Sequence, residues 1–260
     1  MEKQYYPLLN ESLYRCVLPN GLTILVQPRR GFTRKLAYFV TDFGAIHTSF
    51  QMDGTDYTVP AGVAHFLEHK LFDMPDRDVT AEFSALGAVP NAFTGYDMTA
   101  YYFSCTDRFE ESLSLLLEFV STPYFTEESV QKEQGIIGQE IDMVADNPDS
   151  RVFELLMESM YKNHPVKTTI LGTRETIAQI TPHILHLCHK AFYQPSNMLL
   201  CVVGDVDPEA VRRIAEQILP KEPGPQVTTA RNWPEEMTCL RDYTEQAMEV
   251  SMPLVQLGFK

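Results

Sequence analysis

Two histidines and a glutamate stand at offsets 0, +4 and +3 within the segment Ala61 to Phe72: His65, His69 and Glu68. Around them Val63, Ala64, Phe66, Leu67, Leu71 and Phe72 are apolar on nearly every side, the pattern of a buried helix. At helical spacing the three polar side chains leave from one face. Burying them without partners would cost roughly 2–7 kcal/mol per polar group. A metal ion offsets that cost, because two imidazoles at i and i+4 can chelate one Zn²⁺ at about 2.0–2.1 Å. Glu68 is then placed as the base for a water on the metal, whose pKa zinc lowers to about 7. The competing reading is structural, a buried histidine pair hydrogen-bonded to Glu68.

A catalytic zinc takes three protein ligands and leaves a fourth position open. The segment EQGIIGQE offers Glu133 and Glu140, two helical turns apart and so on one face of a helix whose apolar stripe is Val130, Ile137, Ile141 and Val144. One carboxylate can ligate the metal and the other can hold a ligand in place. Spacing alone serves equally well for two solvated carboxylates in an acidic stretch that also carries Glu127, Glu128, Asp142 and Asp146. His183, His186 and His189 lie at i, i+3 and i+6, offsets that rotate around a helix and do not converge.

The elements that must position these residues follow from pattern. Residues 13–17 and 22–27 read as strands joined at Asn20-Gly21, and 35–42 as a third strand. Residues 54–60 read as loop. A short helix over 79–86 stops at Gly87, and strands over 91–95 and 99–104 follow. Asp107 is expected to cap the next helix, Thr126 the one after it, and Asn147 a third with Pro148 in its first turn. Helices near 173–179 and 182–192, a strand at 199–203 and a helix at 208–219 capped by Asp207 complete the pattern. The fold class is α+β, a two-layer sandwich of a mainly antiparallel sheet against helices. Residues 1–219 read as one domain and the Pro-rich, charged 220–236 as a linker. Residues 237–260 then read as the start of a second domain, in which 247–259 looks like a strand whose partners lie beyond Lys260.

Composition narrows the function. Lys and Arg number 21 against 35 Asp and Glu, a net charge of −14 with no basic stripe, which argues against nucleic acid. No apolar run is long enough to span a bilayer. Five cysteines without close pairs make no disulfide framework and fit a reducing compartment. The start has neither an apolar signal core nor an Arg-rich transit pattern, so a cytoplasmic location is expected.

Several motifs in order carry a resemblance over nearly the whole chain. H-x-x-E-H is the inverted zinc motif of the inverzincins. GVAHFLEHKLF, NAFTGYDMTAYYF, EQGIIGQEIDM, NHPVKTTILGTRETIAQIT and FYQPSNMLLCVVGDVDPE together resemble the pitrilysin/insulinase family, which includes mitochondrial processing peptidase. The resemblance implies a zinc endopeptidase with His65, His69 and Glu140 as ligands to one Zn²⁺. It makes Glu68 the general base and Glu133 the acid that steadies the site. It also implies that Asn91 and Ala92 lie on an edge strand where a peptide substrate adds as a further strand, whereas on bare sequence Asn91 reads as a turn residue. The family is built from two homologous halves, in one chain or across two subunits, and this chain matches the first. A non-catalytic peptide-binding or scaffold subunit of a heterodimeric peptidase is the alternative, set against the presence of all the zinc-site positions.

Overall fold

A computed structural model describes residues 1–260 apart from positions 76 and 231. The strands are β1 (Glu2–Tyr6), β2 (Glu11–Val17), β3 (Thr23–Pro28), β4 (Lys35–Thr41), β5 (Ser49–Met52), β6 (Thr55–Thr58), β7 (Asp73–Met74), β8 (Arg77–Asp78), β9 (Ala88–Thr94), β10 (Thr99–Cys105), β11 (Met198–Gly204) and β12 (Val227–Thr229). The helices are α1 (Val63–Leu71), α2 (Val79–Ala85), α3 (Phe109–Ser121), α4 (Glu127–Ala145), α5 (Pro148–Met160), α6 (Arg174–Ile177), α7 (Pro182–Phe192) and α8 (Pro208–Ile218). Seven strands form the main sheet in the order β1-β2-β3-β11-β4-β10-β9. Every pairing in it is antiparallel except β11 with β3. This is the expected α+β sandwich.

Strand alternation divides the sheet into two faces. Ile24, Val26, Ala37, Phe39, Tyr101, Phe103, Leu200 and Val202 are fully buried on the face covered by helices. Their neighbours Leu36, Tyr38, Val40, Tyr102, Leu199, Cys201 and Val203 are only half-buried, and Tyr38 stacks on Tyr102 at 4.6 Å. Helix α1 lies under β9 and β10 and packs against α4 and α7. It begins at Gly62, whose φ of 91° is left-handed, and a Cβ there would meet the Leu171 carbonyl oxygen at 2.4 Å. Glycine at this point lets the loop at 171–172 close over the start of the helix.

Four expectations need correction. Residues 55–58 are a strand rather than loop. Asp53 and Gly54, both at positive φ, join β5 to β6 across a two-residue turn, an Asp-Gly hairpin signal that the sequence carried. Helix α3 starts at Arg108 in left-handed conformation with no side-chain cap, and the Asp107 carboxylate instead accepts from the Arg108 amide. The 220–236 segment is not a bare linker, since β12 adds to β5 there. Residues 247–259 form no strand among the described residues. The tail is held instead by separate contacts near the end of α5, among them the Arg241 amide to the Ser159 carbonyl at 3.0 Å and Lys260 to Glu235 at 3.2 Å.

Candidate metal centre

Helix α1 presents His65, Glu68 and His69 toward α4. Thr126 caps α4 through a reciprocal bond with Ser129, and the buried Val130 and Ile137 fix which of its faces turns inward. Glu133 and Glu140, two turns apart on that helix, both reach α1. Glu133 Oε1 lies 2.9 Å from His69 Nδ1. A carboxylate only accepts, so Nδ1 carries the proton and the lone pair of His69 is on Nε2. Glu140 Oε2 lies 3.6 Å from His69 Nε2 and 3.6 Å from His65 Nε2.

Those separations are too long for hydrogen bonds and right for a shared ion. Donors at about 2.0–2.1 Å around a tetrahedral zinc sit about 3.3 Å apart. Donor atoms of His65, His69 and Glu140 all lie within 4.8 Å of one another, and among the described residues no other such group of three occurs. The donor set of two imidazoles and one carboxylate is that of a catalytic zinc site. His65 is buried, and its Nδ1 has no hydrogen-bond partner among the described residues.

Electrostatics prepares the ligands. Burial, with the neighbouring His69 assisting, pulls the His65 pKa down to about 3, so this imidazole is neutral and its Nε2 free to coordinate. Burial also pulls on His69, but the Glu133 hydrogen bond and the charges of Glu133, Glu140 and Glu68 outweigh it, and its pKa is raised. Burial raises the pKa of Glu68, opposed by the Thr94 hydrogen bond and His69 and reinforced by Glu140. A carboxyl raised toward neutrality accepts protons more readily at working pH.

The other sequence candidates are placed as follows. β9 is the last strand of the sheet and, among the described residues, pairs only with β10, which leaves its far side without a strand. Ala92 points into the molecule and Asn91 away from it, where the Asn91 side-chain oxygen accepts from the Ala92 amide at 2.8 Å. The three α7 histidines do not come together. His189 is buried against the Val120 carbonyl, His186 rests on the Phe125 ring, and His183 is exposed. One further residue belongs to the site: the Thr94 hydroxyl donates to Glu68 Oε2 at 2.6 Å. The signal was available, because alternation along β9 puts Thr94 on the same inward face as Ala92.

Two family models match successive parts of the chain. Insulinase (Peptidase family M16) covers residues 55–174, and the Peptidase M16 inactive domain covers 179–260. The chain belongs to the M16 peptidase family. The uncharacterized zinc protease YmfH of Bacillus subtilis is 50% identical over 208 residues, 79% of this chain and 49% of that protein. The mitochondrial-processing peptidase subunit beta of Caenorhabditis elegans is 29% identical over 205 residues, 77% of this chain and 43% of that subunit. A solved M16-like peptidase from Alicyclobacillus acidocaldarius superposes with a TM-score of 0.84 at 40% identity, over 89% of this chain and 55% of the other. The chain spans about half the length of the relatives it matches.

Proposed function

We propose that this chain is the metal-binding half of a zinc-dependent endopeptidase. The reading is carried by the convergence of His65 Nε2, His69 Nε2 and Glu140 Oε2 beside Glu68. Those three residues would hold one zinc ion, which would supply Lewis-acid polarisation of a peptide carbonyl and a lowered pKa for a water. Glu133 orients His69 by holding Nδ1–H, which keeps Nε2 on the metal side. Glu68 takes the proton of the attacking water at Oε1, the oxygen not bonded to Thr94, and gives it to the leaving amine. The peptide lies along the free side of β9 as an added strand at Asn91 and Ala92, so main-chain pairing supplies affinity independent of side chains.

A second homologous half, in the same polypeptide or in a partner subunit, is needed to enclose the site. The double length of the relatives supports this. Residues 1–219 form the metallopeptidase domain, 220–236 a connecting segment that β12 anchors to it through β5, and 237–260 the beginning of the next domain. No helix among the described residues is long and apolar enough to cross a membrane. The cysteines are all free, which suits the reducing cytoplasm.

The test is zinc content and peptide turnover measured on the same preparations. With the second half present, the expected result is one zinc per molecule in the wild type and in Glu68→Gln, loss of zinc in His65→Ala and Glu140→Ala, and hydrolysis only by the wild type, with this chain by itself hydrolysing weakly. Zinc retained equally in both ligand variants would overturn the assignment.

A further inference from the structure

One side chain joins the free sheet edge to Glu68. Thr94 ends β9 and pairs across the hairpin with Thr99, whose hydroxyl lies 3.4 Å from its own. Ionised carboxylate and carbonyl oxygens only accept, which fixes the proton directions. Thr99 is fully buried and donates to the Phe43 carbonyl at 2.8 Å, so its single proton is committed. The Thr94 proton goes to Glu68 Oε2 at 2.6 Å. The Tyr101 and Tyr193 hydroxyls lie 2.9 Å apart, both buried in the core.

The main chain of Thr94 faces elsewhere. The Gly95 amide bonds back across the hairpin to the Met98 carbonyl at 2.7 Å. Main-chain groups alternate sides along a strand, so those of Thr94, Ala92 and Pro90 lie on the free side of β9. Pro90 agrees with this, since a proline in a strand sits where no ladder N–H is missed. Thr94 therefore offers its amide and carbonyl to any strand added at this edge and its hydroxyl to Glu68. Threonine is branched at Cβ and stiff about χ1, so its backbone and hydroxyl move as one.

We propose that Thr94 is a positioning residue: it aligns Glu68 from the same residue that seats the peptide main chain, and so registers the scissile bond to the base. The proposal rests on Glu68 being the base. Valine at 94 keeps the shape and stiffness and removes the proton, while serine keeps the proton and gives up stiffness.

The experiment uses the complete, zinc-loaded protein and a quenched fluorescent peptide, with Thr94→Val, Thr94→Ser and Glu68→Gln beside the wild type. Thr94→Val is expected to lower kcat about tenfold to a hundredfold, the usual weight of a hydrogen bond to a charged group. Its KM, its zinc content and the affinity of the metal-free protein for the same peptide by fluorescence anisotropy should match the wild type. Thr94→Ser should recover most of the rate. Wild-type kcat in Thr94→Val, a rise in KM in place of the fall in kcat, or loss of zinc would each overturn the proposal. A wild type without turnover, or a fully active Glu68→Gln, would instead overturn the reading on which it rests.

Discussion

β1 closes one side of the main sheet and β9 the other, and the two edges are finished in opposite ways. β1 is exposed at every residue, carries Glu2 and Lys3, and runs into Pro7. Charges and a nearby proline are how sheets discourage further strands from pairing. β9 has no charged residue, alternates strictly between exposed and covered positions, and lies over α1 with its far side unpaired; its one proline, Pro90, interrupts that free side at a single position and leaves the Ala92 and Thr94 amides beyond it. An uncharged, regular edge beside one buried and one half-buried imidazole is a liability unless pairing there is wanted. The contrast teaches that the open edge is local to the metal centre and is not a general feature of the sheet.

The harshest way to break the contrast is to remove the chemistry next to β9. Glu68→Gln is expected to lower turnover by about 10²–10⁴, the usual weight of a general base, with zinc retained. Lys3→Ala on the opposite edge should change neither. Equal losses from the two edges, measured with one peptide, would dissolve the distinction.

Acidification should silence the β9 side alone. Zinc needs both imidazoles neutral. His65, held down to about 3, stays neutral over the accessible range, so His69, raised above its ordinary 6.5, decides. Zinc affinity is expected to fall by about tenfold per pH unit below that raised value, with the fall beginning above pH 6.5. The sign reverses for the metal-free protein. A raised pKa contributes stability that is fully present below 6.5 and lost as pH rises through the folded value. His69 therefore adds more urea resistance to the metal-free protein at pH 6 than at pH 8, while the lowered pKa of His65 acts in the opposite sense, so the expected outcome is that His69→Ala loses more urea resistance, relative to the wild type, at pH 6 than at pH 8. Competition with a fluorescent chelator across pH 5.5–8 checks the first part, and a flat profile would contradict it.

A milder change separates pairing from chemistry. The Ala92 amide lies on the free side of β9, where the Asn91 side-chain oxygen holds it until a peptide strand takes its place, so Ala92→Pro removes one donor while leaving the ladder to β10 intact. KM is expected to rise about twofold to tenfold, one ordinary hydrogen bond, with kcat little changed. Lys3→Pro on β1 should leave KM where it was, whatever it costs in stability.

Much of this was legible in the sequence because local rules agreed with the fold. The greasy turn around His65 and His69, the Thr126 cap and the two-turn spacing of Glu133 and Glu140 each specify a helix and its inward face. Spacing could not say which carboxylate meets the imidazole nitrogens, since that depends on how far along α4 the helix α1 crosses. The Asp53-Gly54 turn signal specifies the strand β6, which the residue pattern of 55–58 alone does not. Arg108 was not readable, because a left-handed start replaced the side-chain cap that Asp107 suggested. The expected strand at 247–259 failed for a different reason. Apolar alternation there, as at Val255, Leu257 and Phe259, describes a strand only when a neighbour exists, and these side chains are exposed.

The smallest expected effect concerns the guarded edge. Lys3 sits on β1 with its ammonium 5.8 Å from the centre of the Tyr14 ring, an exposed cation–π contact worth about 0.5–1 kcal/mol. Lys3→Val removes that contact and at the same time replaces a charge with a strong strand former. The two consequences oppose each other for stability, so the melting temperature should move little. Self-association should move in one direction only, because Tyr5 is already exposed on this strand and the edge would lose its only cation. A rise in weight-average mass with concentration, seen by sedimentation equilibrium for Lys3→Val and absent for the wild type, is the expected result. An unchanged mass would mean that charge is not what keeps β1 unpaired. The difference between the edges would then rest on the exposed main chain and on Pro7, and Pro7→Ala would be the variant in which association should appear.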